Sequence, residues 1–159
     1  MVLFDDSWMD DVRIETIQNY IMSKPELCGV GADIEMVFNI FMDYCKSGYD
    51  PNAIPEKLRP YAKIDDENAK LYVRNCSLMV LGKINNMKHI EAGIPGFAWS
   101  DSGDIKVCSE CKSRNGQMYL YSDPETVWPG VKEGCRCVAL PIFEQDLILN
   151  NIRDHNKTN

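Results

Sequence analysis

Along the first half of the chain, apolar residues recur at the spacing of amphipathic helices. Ser7 followed by Asp10 reads as a helix N-cap with an acid in the first turn, where the helix dipole favours it. Trp8, Val12, Ile17, Tyr20 and Ile21 then return at roughly helical intervals, and Pro25 ends the element. Gly29-Val30-Gly31 reads as a loop. From Asp33 a second helix carries Ile34, Val37, Phe38, Phe41, Tyr44 and Cys45 on one stripe, and Gly48 is its expected C-cap. Pro51, Pro55 and Pro60 predict an irregular connection that is not helical throughout. Asp65-Asp66 then opens a long helix to about Ala92, with Ala69, Tyr72, Val73, Cys76, Met79, Val80 and Met87 on its apolar face. Gly93 and Pro95 stop it.

After Pro95 the pattern changes. Short alternating runs at Phe97-Ala98-Trp99, Ile105-Lys106-Val107, Gln117 to Tyr121 and Arg136 to Leu140 predict strands separated by polar or glycine-containing turns, as in hairpins. Phe143 to Arg153 reads as a short C-terminal helix with a polar tail from Asp154. The expected fold is therefore α+β: about three helices, the third long, then a small β-hairpin domain and a terminal helix. The expected division is an acidic helical region at 1–64 and a region at 65–159 holding the long helix and the β domain.

Charge sharpens this division. The net charge is −7. Residues 1–66 carry thirteen Asp or Glu against six Lys or Arg, whereas residues 67–159 carry eleven of each. An acidic half repels a phosphate backbone and no basic patch compensates, so direct nucleic-acid binding is not expected. An acidic helical face instead suits a basic protein surface or simple solubility. No run of eighteen apolar residues is present, so no membrane span is expected. The opening residues Met1 to Asp6 lack the basic and long apolar stretches of a signal peptide. The expected compartment is a reducing cytoplasm, where cysteines serve as thiols or metal ligands.

Seven cysteines are present; Cys28, Cys45 and Cys76 are scattered, and four cluster. Cys108-Ser109-Glu110-Cys111 forms a C-x-x-C knuckle and Cys135-Arg136-Cys137 a C-x-C pair. Each pair can supply two corners of a tetrahedron from a tight turn, so Cys108, Cys111, Cys135 and Cys137 are the expected ligands of one structural zinc ion. Four thiolates fill the coordination sphere and leave no position for a reactive water. Structural zinc supplies roughly 10–16 kcal/mol of apparent binding free energy in small finger peptides. That suits a strand-rich segment with few large apolar residues, which is too short to hold a core unaided. A redox C-x-x-C or unrelated buried thiols would leave the second pair unexplained, and an iron–sulfur cluster finds no other redox feature in support.

Other candidate chemistry is sparse. His89 is expected as a partly exposed helix residue and His155 as part of the tail, and neither joins a nucleophilic arrangement. Asp101 and Asp104 read as turn-capping residues. No glycine-rich phosphate loop is present, and no enzymatic activity is expected.

One family shares much of this pattern. Gly96-Phe97-Ala98-Trp99, Asp104-Ile105-Lys106-Val107-Cys108-Ser109-Glu110-Cys111, Gly116-Gln117-Met118-Tyr119, Pro129 and Cys135-Arg136-Cys137 together resemble the C-terminal domain of Mu F-type phage minor head (head morphogenesis) proteins. The resemblance covers about residues 70–142. Arg74-Asn75-Cys76 stands where the family usually has Arg-Thr-Glu, and Lys132-Glu133-Gly134 where His-Pro-Asn is common. The missing histidine makes the four-cysteine ligand set more necessary. The resemblance implies a phage or prophage protein acting in head assembly or DNA packaging, with a portal or capsid subunit as partner. It would be found in the virion or in the cytoplasm of the bacterial host. An alternative from another class is a small phage-encoded inhibitor that meets a host protein through its acidic helices. A zinc-stapled nucleic-acid binder is a weaker alternative, which the charge balance opposes.

Overall fold

The computed structural model describes residues 7–48, 50–101, 103 and 108–143. The strand expected at 105–107 and all but the first residue of the helix expected at 143–153 lie outside these residues, as do Asp104 and His155. The fold is α+β. By its internal contacts the chain forms two compact units that divide between Leu81 and Gly82.

The first unit is helical. Helix α1 (Ser7–Met22) buries Thr16, Ile17, Tyr20 and Ile21 and packs on α3 (Ile34–Ser47), which buries Val37, Ile40 and Phe41. The Asp33 carboxylate caps α3 by accepting the Met36 N–H at 3.2 Å. Gly48 closes it in the left-handed conformation (φ 61°), where a residue without Cβ is unstrained. The stripe predicted for α3 is rotated slightly: Ile34 is exposed and Ile40, a residue off that stripe, is buried.

The prolines start elements as well as ending them. Pro25 opens the four-residue α2 (Pro25–Cys28), Pro51 opens a 3-10 turn (Pro51–Ala53), and Pro55 sits in the first turn of α4 (Ile54–Leu58). At these positions the missing N–H would have no partner within the helix, so proline costs nothing there. Helix α5 (Asp66–Glu91) begins with the Asp65 carboxylate accepting the Asn68 N–H at 2.8 Å. Its first part adds Ala69, Val73, Cys76 and Val80 to the buried set of this unit. Its division from the second unit falls within α5, whereas the sequence places a boundary before the helix, at residue 64.

Among the described residues, the second unit contains the rest of α5, a three-stranded antiparallel sheet and one short helix. Strands β1 (Gly96–Ser100), β2 (Met118–Leu120) and β3 (Val138–Ile142) lie in the order β2-β1-β3. Phe97 stands opposite Tyr119 on one side and Pro141 on the other. Pro141 is accommodated because β3 is an edge strand in the described sheet, where proline's missing N–H costs least. The strand expected at 136–140 thus begins two residues later, which leaves Cys135-Arg136-Cys137 in the loop that feeds it.

The chain between β1 and β2 carries helix α6 (Ser109–Arg114), an element the sequence reading did not include. One sheet face is aromatic: Phe97 lies 5.5 Å from Tyr119 and 5.0 Å from Tyr121, centroid to centroid. Phe97 and Trp99 form a small core with Cys111 and Cys137, flanked by Tyr119, Tyr121, Trp128, Cys135 and Ala139. No helix among the described residues is long and apolar enough to cross a membrane.

Candidate metal centre

Three of the cysteines converge beside this core. Cys108 is the N-cap of α6, its sulfur accepting the Cys111 N–H at 3.3 Å. Three residues on, Cys111 therefore sits in the first turn and faces inward, and it is buried. Cys135 follows Gly134, which adopts a left-handed φ of 80°, and its own N–H bonds to the Lys132 carbonyl at 2.9 Å. The turn reverses the chain so that Cys135 and, two residues later, Cys137 point back at α6.

The sulfurs of Cys111, Cys135 and Cys137 all lie within 4.8 Å of one another, and those of Cys111 and Cys135 are 3.8 Å apart. Two thiolates bound to one tetrahedral zinc ion at about 2.3 Å stand about 3.8 Å from each other. These three cysteines are thus placed to hold a metal ion. The Cys108 sulfur is 2.8 Å from that of Cys111, beside the trio but closer than two ligands of one ion would stand. Cys108 is exposed on its helix cap, so rotation about its Cα–Cβ bond can open that gap.

The surroundings act on the sulfurs in both directions. Backbone N–H groups point at two of the sulfurs, Cys111 N–H at Cys108 and Gly130 N–H at Cys135, the latter at 3.3 Å. The Trp99 indole N–H is buried without a hydrogen-bond partner. It approaches Cys137 closely enough to offset part of the rise that burial imposes on that thiol, although without hydrogen-bond geometry. Burial pushes the Cys111 thiol well above its ordinary range, reinforced by the sulfurs of Cys108, Cys137 and Cys135. Hydrogen bonds from the Cys111 thiol and amide hold the exposed Cys108 below its ordinary value. Adjacent thiolates repel one another, and a cation among them removes that repulsion.

Of the other residues singled out from the sequence, Asp101 caps a turn by accepting the Gly103 N–H at 2.9 Å. His89 is half-buried, and its Nδ1 lies 2.9 Å from the Tyr121 hydroxyl. Burial holds its pKa below the usual histidine value. Two α5 residues beside the centre escaped the sequence reading: Asn86, 1% exposed, and Gly82, against which the Gly130 backbone packs. A glycine in the interior of a long helix was the one signal that could have pointed to them.

No protein-family model matches the chain, and no solved structure matches it. A protein of Haemophilus influenzae (strain ATCC 51907 / DSM 11121 / KW20 / Rd), described as uncharacterized, is 25% identical over 115 residues. The match takes in 71% of this chain and 26% of the relative, so the chain spans about a quarter of that protein's length.

Proposed function

We propose that the second unit is a non-catalytic module built around one structural zinc ion held by Cys108, Cys111, Cys135 and Cys137. The observation that carries this reading is the meeting of three sulfurs from α6 and the 135–137 loop at the spacing of ligands on one ion. Zinc bound there would tie α6 to the start of β3 and hold together a core of few large side chains. Cys108 completes a closed set of four thiolates, and a closed set leaves no coordination position for chemistry on a water or substrate.

The module serves as a platform for protein–protein contact in the assembly of a phage or prophage head, at a portal or capsid subunit. Support comes from the motif string that ends in Cys135-Arg136-Cys137, of which residues 96–99 and 118–119 lie on paired strands. The acidic first 66 residues supply a surface suited to a basic partner. The test is affinity capture of the full chain from cells producing particles, followed by identification of bound proteins and assay of purified particles. The expected result is recovery with portal or capsid subunits, weakened by salt. Capture of a host protein, with the chain absent from particles, would overturn the assembly role in favour of the inhibitor reading.

A further inference from the structure

The buried side chain of Asn86 has its orientation fixed by chemistry. One end of its amide faces two carbonyls, Gly82 O at 2.7 Å and Pro129 O at 3.1 Å, and carbonyls only accept. That end is therefore the NH2 group, and it uses both of its hydrogens. The other end, Oδ1, accepts the Tyr121 hydroxyl at 2.9 Å. The single hydroxyl proton is then committed, so His89 donates from Nδ1 to the Tyr121 oxygen.

The Pro129 carbonyl belongs to the same planar peptide unit as the Gly130 N–H, and in a trans peptide the two point in opposite directions. The Gly130 N–H donates to Cys135 Sγ. A continuous line of donors and acceptors thus runs from Asn86 Nδ2 through the Pro129–Gly130 peptide to the sulfur. Glycines let the chain pass closely at Gly130, the residue that follows that peptide. A Cβ on Gly82 would run into the Gly130 carbonyl, and Gly130 itself has φ 79° and would press a Cβ to 2.9 Å from the Cys137 carbonyl oxygen.

We propose that Asn86 is a positioning residue for the metal centre, acting through the Pro129–Gly130 peptide to aim and polarise the N–H that bonds to the Cys135 thiolate. A donor pulling on the carbonyl strengthens the N–H at the far end of the same peptide, and an N–H donated to a ligating sulfur steadies its charge and orientation. Gly82 provides the space in which the Gly130 carbonyl, next along the chain from this peptide, lies against α5. The inference rests on the proposed metal centre, and its test separates the two.

The full chain is loaded with cadmium, and NMR is used to look for scalar coupling between the Gly130 amide proton and the metal across the N–H···S bond. Coupling is expected. In parallel, cadmium affinity is measured by chelator competition for Asn86→Asp, Asn86→Ala and Tyr121→Phe. The Asn86 variants are expected to bind roughly tenfold or more weakly, the scale of lost outer-shell partners. They are also expected to lose the Gly130 coupling. Tyr121→Phe loses a buried hydrogen bond of the same network but keeps the Pro129 arm, and is expected to change neither readout. A loaded chain without Gly130 coupling overturns the inference while leaving the metal centre intact, even if every variant fails to fold. Equal loss of affinity in the Tyr121 and Asn86 variants overturns it too, by showing a contribution through stability alone. A chain that takes up no cadmium overturns the metal centre and the inference with it.

Discussion

Individual side chains in the second unit do two kinds of work, filling a small core and satisfying buried polar atoms. Asn86 does the second completely: its amide meets two carbonyls and a hydroxyl while 1% exposed. Leaving such a group unpaired costs about 1–3 kcal/mol, which explains why the network extends through Tyr121 to His89. The network accepts a proton on His89 without rearrangement, because Nδ1 is the donor in both the neutral and charged forms. Burial nevertheless disfavours the charge. The folded state therefore binds this proton less tightly than the unfolded chain, so its contribution to stability is retained above the ordinary histidine pKa of about 6.5 and falls as pH drops through and below that value. An NMR titration of the imidazole is expected to show a midpoint below the ordinary value. A midpoint above it would show that an interaction favouring the charged ring outweighs burial. Histidine spacing alone gave no hint of this environment, since the hydroxyl partner lies 32 residues away in sequence.

At the scale of elements, much was legible where local chemistry decides. Asp33 and Gly48 bound α3 through a side-chain cap and a left-handed residue, and both are visible in the sequence because each is a short-range device. The apolar stripe of α5 is borne out at Ala69, Val73, Cys76 and Val80. What was not legible depended on distant partners. Helix α6 is six residues long, too short to be stable alone, and its first turn is set by the Cys108 cap and the burial of Cys111. The start of β3 is shifted because Cys135 and Cys137 are drawn toward α6, a constraint strand propensity does not contain. Gly82 shows the same competition in a testable form. Gly82→Ala should add about 1 kcal/mol of helix propensity, yet its methyl would collide with the Gly130 backbone, and overpacking costs about 1–3 kcal/mol. The collision should win because the Gly130 backbone, whose N–H bonds to Cys135, has little freedom to retreat. Denaturant unfolding is expected to show net destabilisation of up to about 2 kcal/mol, whereas a stabilised variant would mean that the Gly130 segment yields readily.

For the whole molecule, the change of pattern after Pro95 and the cysteine spacing made an α+β fold with a cysteine cluster in its C-terminal part foreseeable. The convergence of Cys111, Cys135 and Cys137 is the structural finding that joins motif to fold. The four-cysteine spacing suggested it, but spacing could not distinguish Cys108, exposed and beside the trio, from the three that already meet. The proposed zinc would give the segment that clusters Phe97, Trp99, Cys111 and Cys137 a second source of cohesion. The most direct measurement is metal content of the purified full chain at neutral pH, compared with Cys135→Ser and Cys108→Ser. The account predicts one zinc per chain, lost in Cys135→Ser together with the fixed environment of Trp99 in near-ultraviolet circular dichroism, and held much more weakly in Cys108→Ser. A metal-free chain with the same Trp99 signal, or full zinc retention in Cys135→Ser, would contradict it.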